Sequence, residues 1–348
     1  MGKGKGWLIG GMVVGCLVAS AVSSRRRAFL AQRARNTRVR LLVIGAGVVG
    51  STYAERMARW GMEVSLLARG ARLRELTNDG LWIRDALTNC RRTALVRVVS
   101  EVPADEHYDL ALVAVRYTQV REVLEHIRPL AQTTPILLLQ NNPLGVEPLA
   151  RWWDAKNLLM GFPATGGQRV AGEVRSAPLW IGPTVIGDPD GAGAQSLHRA
   201  VAILRQAGLR VQVQPQIVPW LRTHAAMIAV LAGCVYRNGG HIRQMAGNLA
   251  EARVYLAAVR EAYGILQANG VPITPPTNLL IFQRRVWLQT AIVSAAAWAP
   301  WAPLFVDAHL AAAPEEMAAL HDVLLTLARR AGMDAPVVES LGQYFPGR

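Results

Sequence analysis

The sequence predicts an α/β protein, a doubly wound parallel sheet followed by an all-helical carboxyl-terminal region. Three observations carry this. A β-branched apolar run (Arg38–Ile44) passes through a glycine-rich turn into a helix-like stretch ending at Trp60. Short strand-like and helix-like segments then alternate as far as Val211–Gln214. After Pro215 the composition turns to alanine, leucine and arginine. These features divide the chain into an apolar segment plus basic linker (1–37), the α/β unit (38–216) and the helical unit (217–348). With 348 residues, 51% apolar and 18% charged, it falls outside the disordered, collagenous and small disulfide-bonded classes.

The leader comes first. Nine of the 38 lysines and arginines, and none of the 24 acidic residues, lie in the first forty positions, so the net charge of +14 falls to +5 beyond them. A chain-wide basic footprint is missing, and nucleic acid is not an expected partner. Residues 6–24 carry no charge and as a helix would span ~28 Å of a ~30 Å hydrocarbon core. The arginines at 25–27, 33 and 35 outnumber Lys3 and Lys5, which would leave the body of a membrane-anchored chain in the cytoplasm. A cleaved signal peptide, a lipoprotein signal at Val13–Cys16 and an upstream extension from a miscalled start codon compete with the anchor. Cys16, Cys90 and Cys234 fit neither a disulfide framework nor a zinc spacing, so no metal is expected.

The strand at 38–44 feeds Gly45-Ala46-Gly47-Val48-Val49-Gly50, the dinucleotide fingerprint between a strand and a helix. Gly45 serves the tight turn, Gly47 the approach of backbone to a diphosphate, and Gly50 the close packing of the helix. The next strand, Glu63–Leu67, should end beside the adenosine ribose. An NAD site wants a carboxylate there; this chain supplies Arg69, which can fork onto the 2′-phosphate of NADP(H). An ordinary solvated arginine is the competing reading. Two further buried runs, Asp109–Val115 and Ile136–Leu139, are followed by Arg116-Tyr117-Thr118-Gln119 and Gln140-Asn141-Asn142, where this topology places ligand contacts.

Together these residues resemble the ketopantoate reductase (2-dehydropantoate 2-reductase) family over about residues 38–345. The matching pieces are VIGAGVVGSTYA (43–54), LLARGARLREL (66–76), VAVRYTQ (113–119), LLLQNN (137–142) and LMGFPATGG (159–167). The resemblance implies a Rossmann domain and a helical domain like that of 6-phosphogluconate dehydrogenase, with substrate and nicotinamide meeting in the cleft between them. It implies that Arg69 binds the 2′-phosphate, that Asn141 holds the cofactor near the nicotinamide, and that Arg116 stands where the family commonly has lysine, with Gln119 closing the same motif. Glu316, sixteen residues before Gly332, matches a cofactor-contacting glutamate; a carboxylate stabilised by a helix amino terminus is the alternative.

The helical region departs from that pattern. The family's catalytic lysine and the substrate asparagine four residues later fall here on Arg222 and Ala226, and beyond the leader the only lysine is Lys156. Releasing a proton at pH 7 from a group of pKa ~12.5 costs upward of ~7 kcal/mol, so Arg222 is a poor acid but a good fixed cation for an oxyanion or carboxylate. His224, with a reference pKa of ~6.5, is the candidate proton donor, against the plainer reading of a hydrogen-bonded core histidine. Asn238 is a candidate substrate ligand, with a simple turn residue as its alternative. The expected activity is NADPH-dependent reduction of a small 2-oxo acid or related carbonyl, and a homodimer is the candidate assembly. A non-catalytic NADP(H)-binding protein that has lost its acid is the rival.

Overall fold

The computed structural model describes residues 39–102, 106–146, 148–149, 152–299 and 302–347, so the apolar segment at 6–24 and its expected membrane contact lie outside the described residues. β1 (Arg40–Ile44) is buried along Leu41–Ile44, as expected of a strand covered on both faces. It leads into α1 (Val48–Arg59), β2 (Glu63–Leu67) and α2 (Gly70–Asp79). Three short strands follow, β3 (Trp82–Asp85), β4 (Arg91–Thr93) and β5 (Arg97–Val99), then β6 (Leu110–Val113), α3 (Val120–His126) and β7 (Ile136–Leu139). The α/β part closes with β8 (Leu158–Phe162), β9 (Gly167–Val170), β10 (Glu173–Ser176), β11 (Thr184–Gly187), α4 (Ala194–Gln206) and β12 (Val211–Val213).

Eight strands form one sheet in the order β12-β11-β8-β7-β6-β1-β2-β5. From β5 through β8 every pairing is parallel, and β11 joins β8 antiparallel. Strand order reverses between β1 and β6, and in a Rossmann sheet the crevice beyond the carboxyl ends of those two strands is where ligands bind. The sequence did not disclose a second, four-stranded sheet, β4-β3-β10-β9. Its strands are three or four residues long and rich in arginine, and its central pairing is parallel between β3 and β10, about ninety residues apart in sequence. No local periodicity announces such a contact.

The helical part comprises α5 (Ile217–Arg237), α6 (Leu249–Ala268), α7 (Val286–Trp298), the short α8 (Ala302–Phe305) and α9 (Asp307–Ala312), α10 (Pro314–Arg330) and α11 (Pro336–Leu341). Though long and apolar enough to cross a membrane, α5 is the core helix here: Ala229, Val230, Ala232 and Val235 are fully buried against α6 and α10. Its first turn instead packs Ile217 and Leu221 onto the α/β core, and so the helix bridges the two halves. α7 has no charged residue and presents Val286, Trp287 and Trp298 to solvent at 57%, 65% and 61% exposure.

Candidate functional site

The glycine turn forms the floor of the site. Gly45 has φ +100°, and a Cβ there would sit 2.5 Å from the Ala114 carbonyl oxygen; a Cβ at Gly50 would sit 1.9 Å from the Gly45 oxygen. Helix α1 and the β6 strand end therefore approach the turn more closely than any side chain allows. At Gly47 an added Cβ meets nothing within 4 Å. No neighbouring atom of the chain therefore requires glycine at position 47. No side chain caps α1 and no acidic residue lies in its first turn, so its free N–H groups and positive dipole end face the same space.

That space is a cavity of about 260 Å³ running from Gly45 and Gly47 past Leu67 and Arg69 to Gln119 and Glu122. Arg69, at the end of β2, is half-exposed and pairs with Glu122 through Nη1 at 3.3 Å. Arg72, only 7% exposed, serves the fold: Nε donates to the Ala46 carbonyl at 3.1 Å and Nη1 to the Gly172 carbonyl at 2.8 Å, so it ties the glycine turn to the β9–β10 hairpin. Gln119 lines the cavity, and its Oε1 accepts from the Arg116 backbone N–H at 3.4 Å.

The other end of the crevice is closed by the helical part. The Glu316 carboxylate, 3% exposed in the first turn of α10, accepts from Asn141 Nδ2 and from the Tyr117 N–H, both at 3.2 Å. Arg116 Nη2 donates to the Ala312 carbonyl at the end of α9. Three hydrogen bonds thus cross the cleft. The Asn141 Oδ1 and both amide atoms of Gln140 are buried with no partner among the described residues, which leaves hydrogen-bonding capacity unused at this end of the crevice. Replacing Glu316 with alanine strands one buried donor, Asn141 Nδ2, and one part-buried donor, the Tyr117 N–H, and at ~1–3 kcal/mol for the buried loss the melting temperature should fall by several degrees in calorimetry. An unchanged transition would show that the cross-cleft bonds contribute little.

His224 stacks on Trp220 (ring centroids 5.3 Å apart, planes 3° from parallel) and meets Phe162 at 4.1 Å. Its Nε2 is buried and unpartnered, and burial, reinforced by His309, lowers its pKa from 6.5 to about 4. His309, on α9, is a site residue that sequence reasoning missed. Burial depresses its pKa too, the Glu316 charge opposes this, and Arg116 adds to it. The structure therefore gathers His224, His309, Arg116, Asn141 and Glu316 at one place. Arg222 lies on a different side of α5, since two residues turn a helix by ~200°; its Nε donates to the Pro143 carbonyl at 3.2 Å, just beyond the Gln140–Asn142 segment. Asn238 is the residue that follows α5, some 21 Å along the axis from His224 at ~1.5 Å per residue. Its Nδ2 donates to the Cys234 carbonyl and to Glu251 Oε2 at 2.9 and 2.8 Å.

Residues 41–191 match the family described as ketopantoate reductase PanE/ApbA. A 2-dehydropantoate 2-reductase of Pyrococcus abyssi is 23% identical over 262 residues, spanning 70% of this chain and 79% of its own. Among solved structures, D-mandelate dehydrogenase in a ternary structure with NADH and anilino(oxo)acetate superposes with a TM-score of 0.73 at 16% identity, over 88% of this chain and 97% of that one. The 2-dehydropantoate 2-reductase of Geobacter metallireducens GS-15 gives 0.69 at 21% identity, over 88% and 99%. The structural likenesses establish the fold, a parallel Rossmann-like sheet with a helical carboxyl-terminal region.

Proposed function

We propose that this chain, whose residues 41–191 match the ketopantoate reductase family, is an NADPH-dependent oxidoreductase reducing a small 2-oxo acid or related carbonyl. The observation that carries the reading is the open position above Gly47, set between two glycines closed by their own backbone and facing a cavity with Arg69 at its far end. A dinucleotide fits this arrangement: the diphosphate on the α1 amino terminus, the phosphorylated ribose toward Arg69, and the nicotinamide toward Asn141 and Glu316. NADPH would supply the hydride. Asn141, with one amide atom free and the other held by Glu316, would orient the ring from a buried, fixed position.

The substrate's carboxylate would be held by the guanidinium groups at the cleft, Arg222 and Arg116. Arg222, anchored through Nε on another side of α5 than His224, keeps its two Nη groups for the carboxylate and not for the reacting oxygen. His224 is neutral in the free protein, and its protonated form gains favour as negative charge enters the cleft. It then donates the proton to the new alkoxide, directly or through water. Lys156 cannot replace it. That residue precedes β8, at the end of the strand opposite the crevice, 70% exposed and paired with Asp154 at 3.4 Å.

The absence of a lysine from the described cleft also supports the rival reading, a protein that binds NADP(H) without turnover. Calorimetric titration with NADPH and NADH, followed by NADPH oxidation across a panel of 2-oxo acids and other small carbonyls, separates them. NADPH should bind at least tenfold more tightly than NADH, and one panel member should drive its oxidation. Binding without consumption favours the rival, and failure to bind either nucleotide overturns both readings.

A further inference from the structure

We propose that Arg169, on the edge strand of the small sheet, is a second arginine for the ribose 2′-phosphate, and that Glu122 is the exchangeable counter-charge that holds Arg69 until that phosphate arrives. The inference rests on the NADPH reading and assigns the specificity of that site to residues outside the fingerprint.

The geometry follows from the hairpin. β9 and β10 are joined by Ala171 and Gly172, both with positive φ (48° and 79°), the two-residue turn that suits a twisted hairpin. The register sets Arg169 opposite Val174, and cross-strand partners point to the same face. Val174 is fully buried, so that face is the inner one, turned toward the α/β core. Because β9 lies at the sheet edge, Arg169 emerges beside the core and lines the cofactor cavity. The hairpin cannot drift, since Arg72 binds both the Gly172 carbonyl at its tip and the Ala46 carbonyl in the glycine turn.

Charge selects the ligand. Three arginines (Arg69, Arg72, Arg169) and one carboxylate (Glu122) line the cavity. Arg72 is fully engaged, by the two carbonyls, Glu75 at 3.0 Å and Ser51 at 3.4 Å. Arg169 is exposed and forms no ion pair among the described residues. Because Glu75 neutralises Arg72, Arg69 and Arg169 against Glu122 leave one net positive charge, and release of Glu122 leaves two to match a phosphate monoester carrying about two negative charges, an excess that a bare ribose hydroxyl would leave uncompensated. The Arg69–Glu122 pair, with side chains 52% and 76% exposed, is weak enough to open for a phosphate.

The test uses adenosine 2′,5′-bisphosphate and adenosine 5′-monophosphate as probes in calorimetry, with NADPH and NADH alongside. The proteins are the full chain, Arg169→Ala, Arg69→Ala, the double variant and Glu122→Gln. Arg169→Ala should weaken the bisphosphate and NADPH about tenfold, change the monophosphate and NADH less than twofold, and lower the salt dependence of NADPH binding. Glu122→Gln should tighten NADPH several-fold. Arg169→Ala with the wild-type preference for the 2′-phosphate, in a protein of unchanged melting temperature, would overturn the proposal. Loss of that preference in Arg69→Ala at the same time would leave the NADPH reading standing. Wild-type protein that binds neither nucleotide would remove the reading and the proposal together.

Discussion

Substituting Gly47 with alanine should leave the free protein folded and raise the dissociation constant for NADPH by two orders of magnitude or more. The added methyl meets no atom of the chain within 4 Å, and Gly47 has φ −76°, which alanine adopts without strain. The one cost to the fold is a poorer residue at the helix cap, at most about 1 kcal/mol, or ~2–4 °C in a chain of this size. In the complex the same methyl occupies the space where diphosphate oxygens should approach the backbone, and it pushes them off the α1 N–H groups. Gly50→Ala is the control with the opposite signature. Its Cβ would lie 1.9 Å from the Gly45 oxygen, so helix and turn must separate and stability should fall by more than ~4 kcal/mol whether or not cofactor is present. Thermal melts and NADPH titrations of both variants distinguish these outcomes. Equal losses of stability would mean that the open space at Gly47 is not a ligand site.

Removing the imidazole of His224 should lower kcat by 10²–10⁴-fold, the range for loss of a positioned proton donor. The same change should flatten part of the acid limb of stability. With a folded pKa of about 4 against 6.5 unfolded, the unfolded chain binds the extra proton between those values. The contribution of neutral His224 is therefore present in full above pH 6.5 and is lost as pH falls through about 4, amounting to ~3 kcal/mol. His224→Phe keeps an aromatic ring between Trp220 and Phe162 and cannot be protonated. Urea midpoints for wild type and this variant should converge or cross between pH 7 and pH 4.5, with a change in their difference of ~2–3 kcal/mol. In turnover, the pH profile of kcat/KM reports the free protein and should fall with rising pH from a low apparent pKa that His224→Gln abolishes. The profile of kcat should fall at higher pH, because bound carboxylate favours the imidazolium. An unaltered kcat and profile in His224→Gln would remove the residue from the reaction.

The parts of this site that were legible in the sequence are those whose signal is local. Gly45, Gly47 and Gly50 lie within six positions, between an apolar strand and a helix, and backbone geometry alone demands that spacing. Arg69 was legible because it lies two residues beyond the end of β2. The position of Glu316 could be found only from family likeness, since its partners Asn141 and Tyr117 lie 175 and 199 residues away. His309 lay in a helix of six residues, too short to show a period, and nothing in its neighbourhood marks it as facing His224. Arg169 was hidden more deeply, because it belongs to a sheet whose existence was itself unreadable. Arg222 and His224 are legible separately, as a fixed cation and a candidate proton donor, and the regular helix through both sets them on different sides, Arg222 against Pro143 and His224 among aromatic rings.

By itself the sequence determined the two-part architecture and the glycine turn between β1 and α1, because hydrophobic periodicity and glycine placement act over a few residues and need no distant partner. Tertiary structure alone decided which charges meet: that Arg72 is a tie rather than a ligand, that Arg169 stands over the cavity, and that His224 is held neutral. Those properties come from burial and from neighbours brought together from distant parts of the chain, and desolvation and Coulomb energy depend on distance in space, which the order of residues does not record.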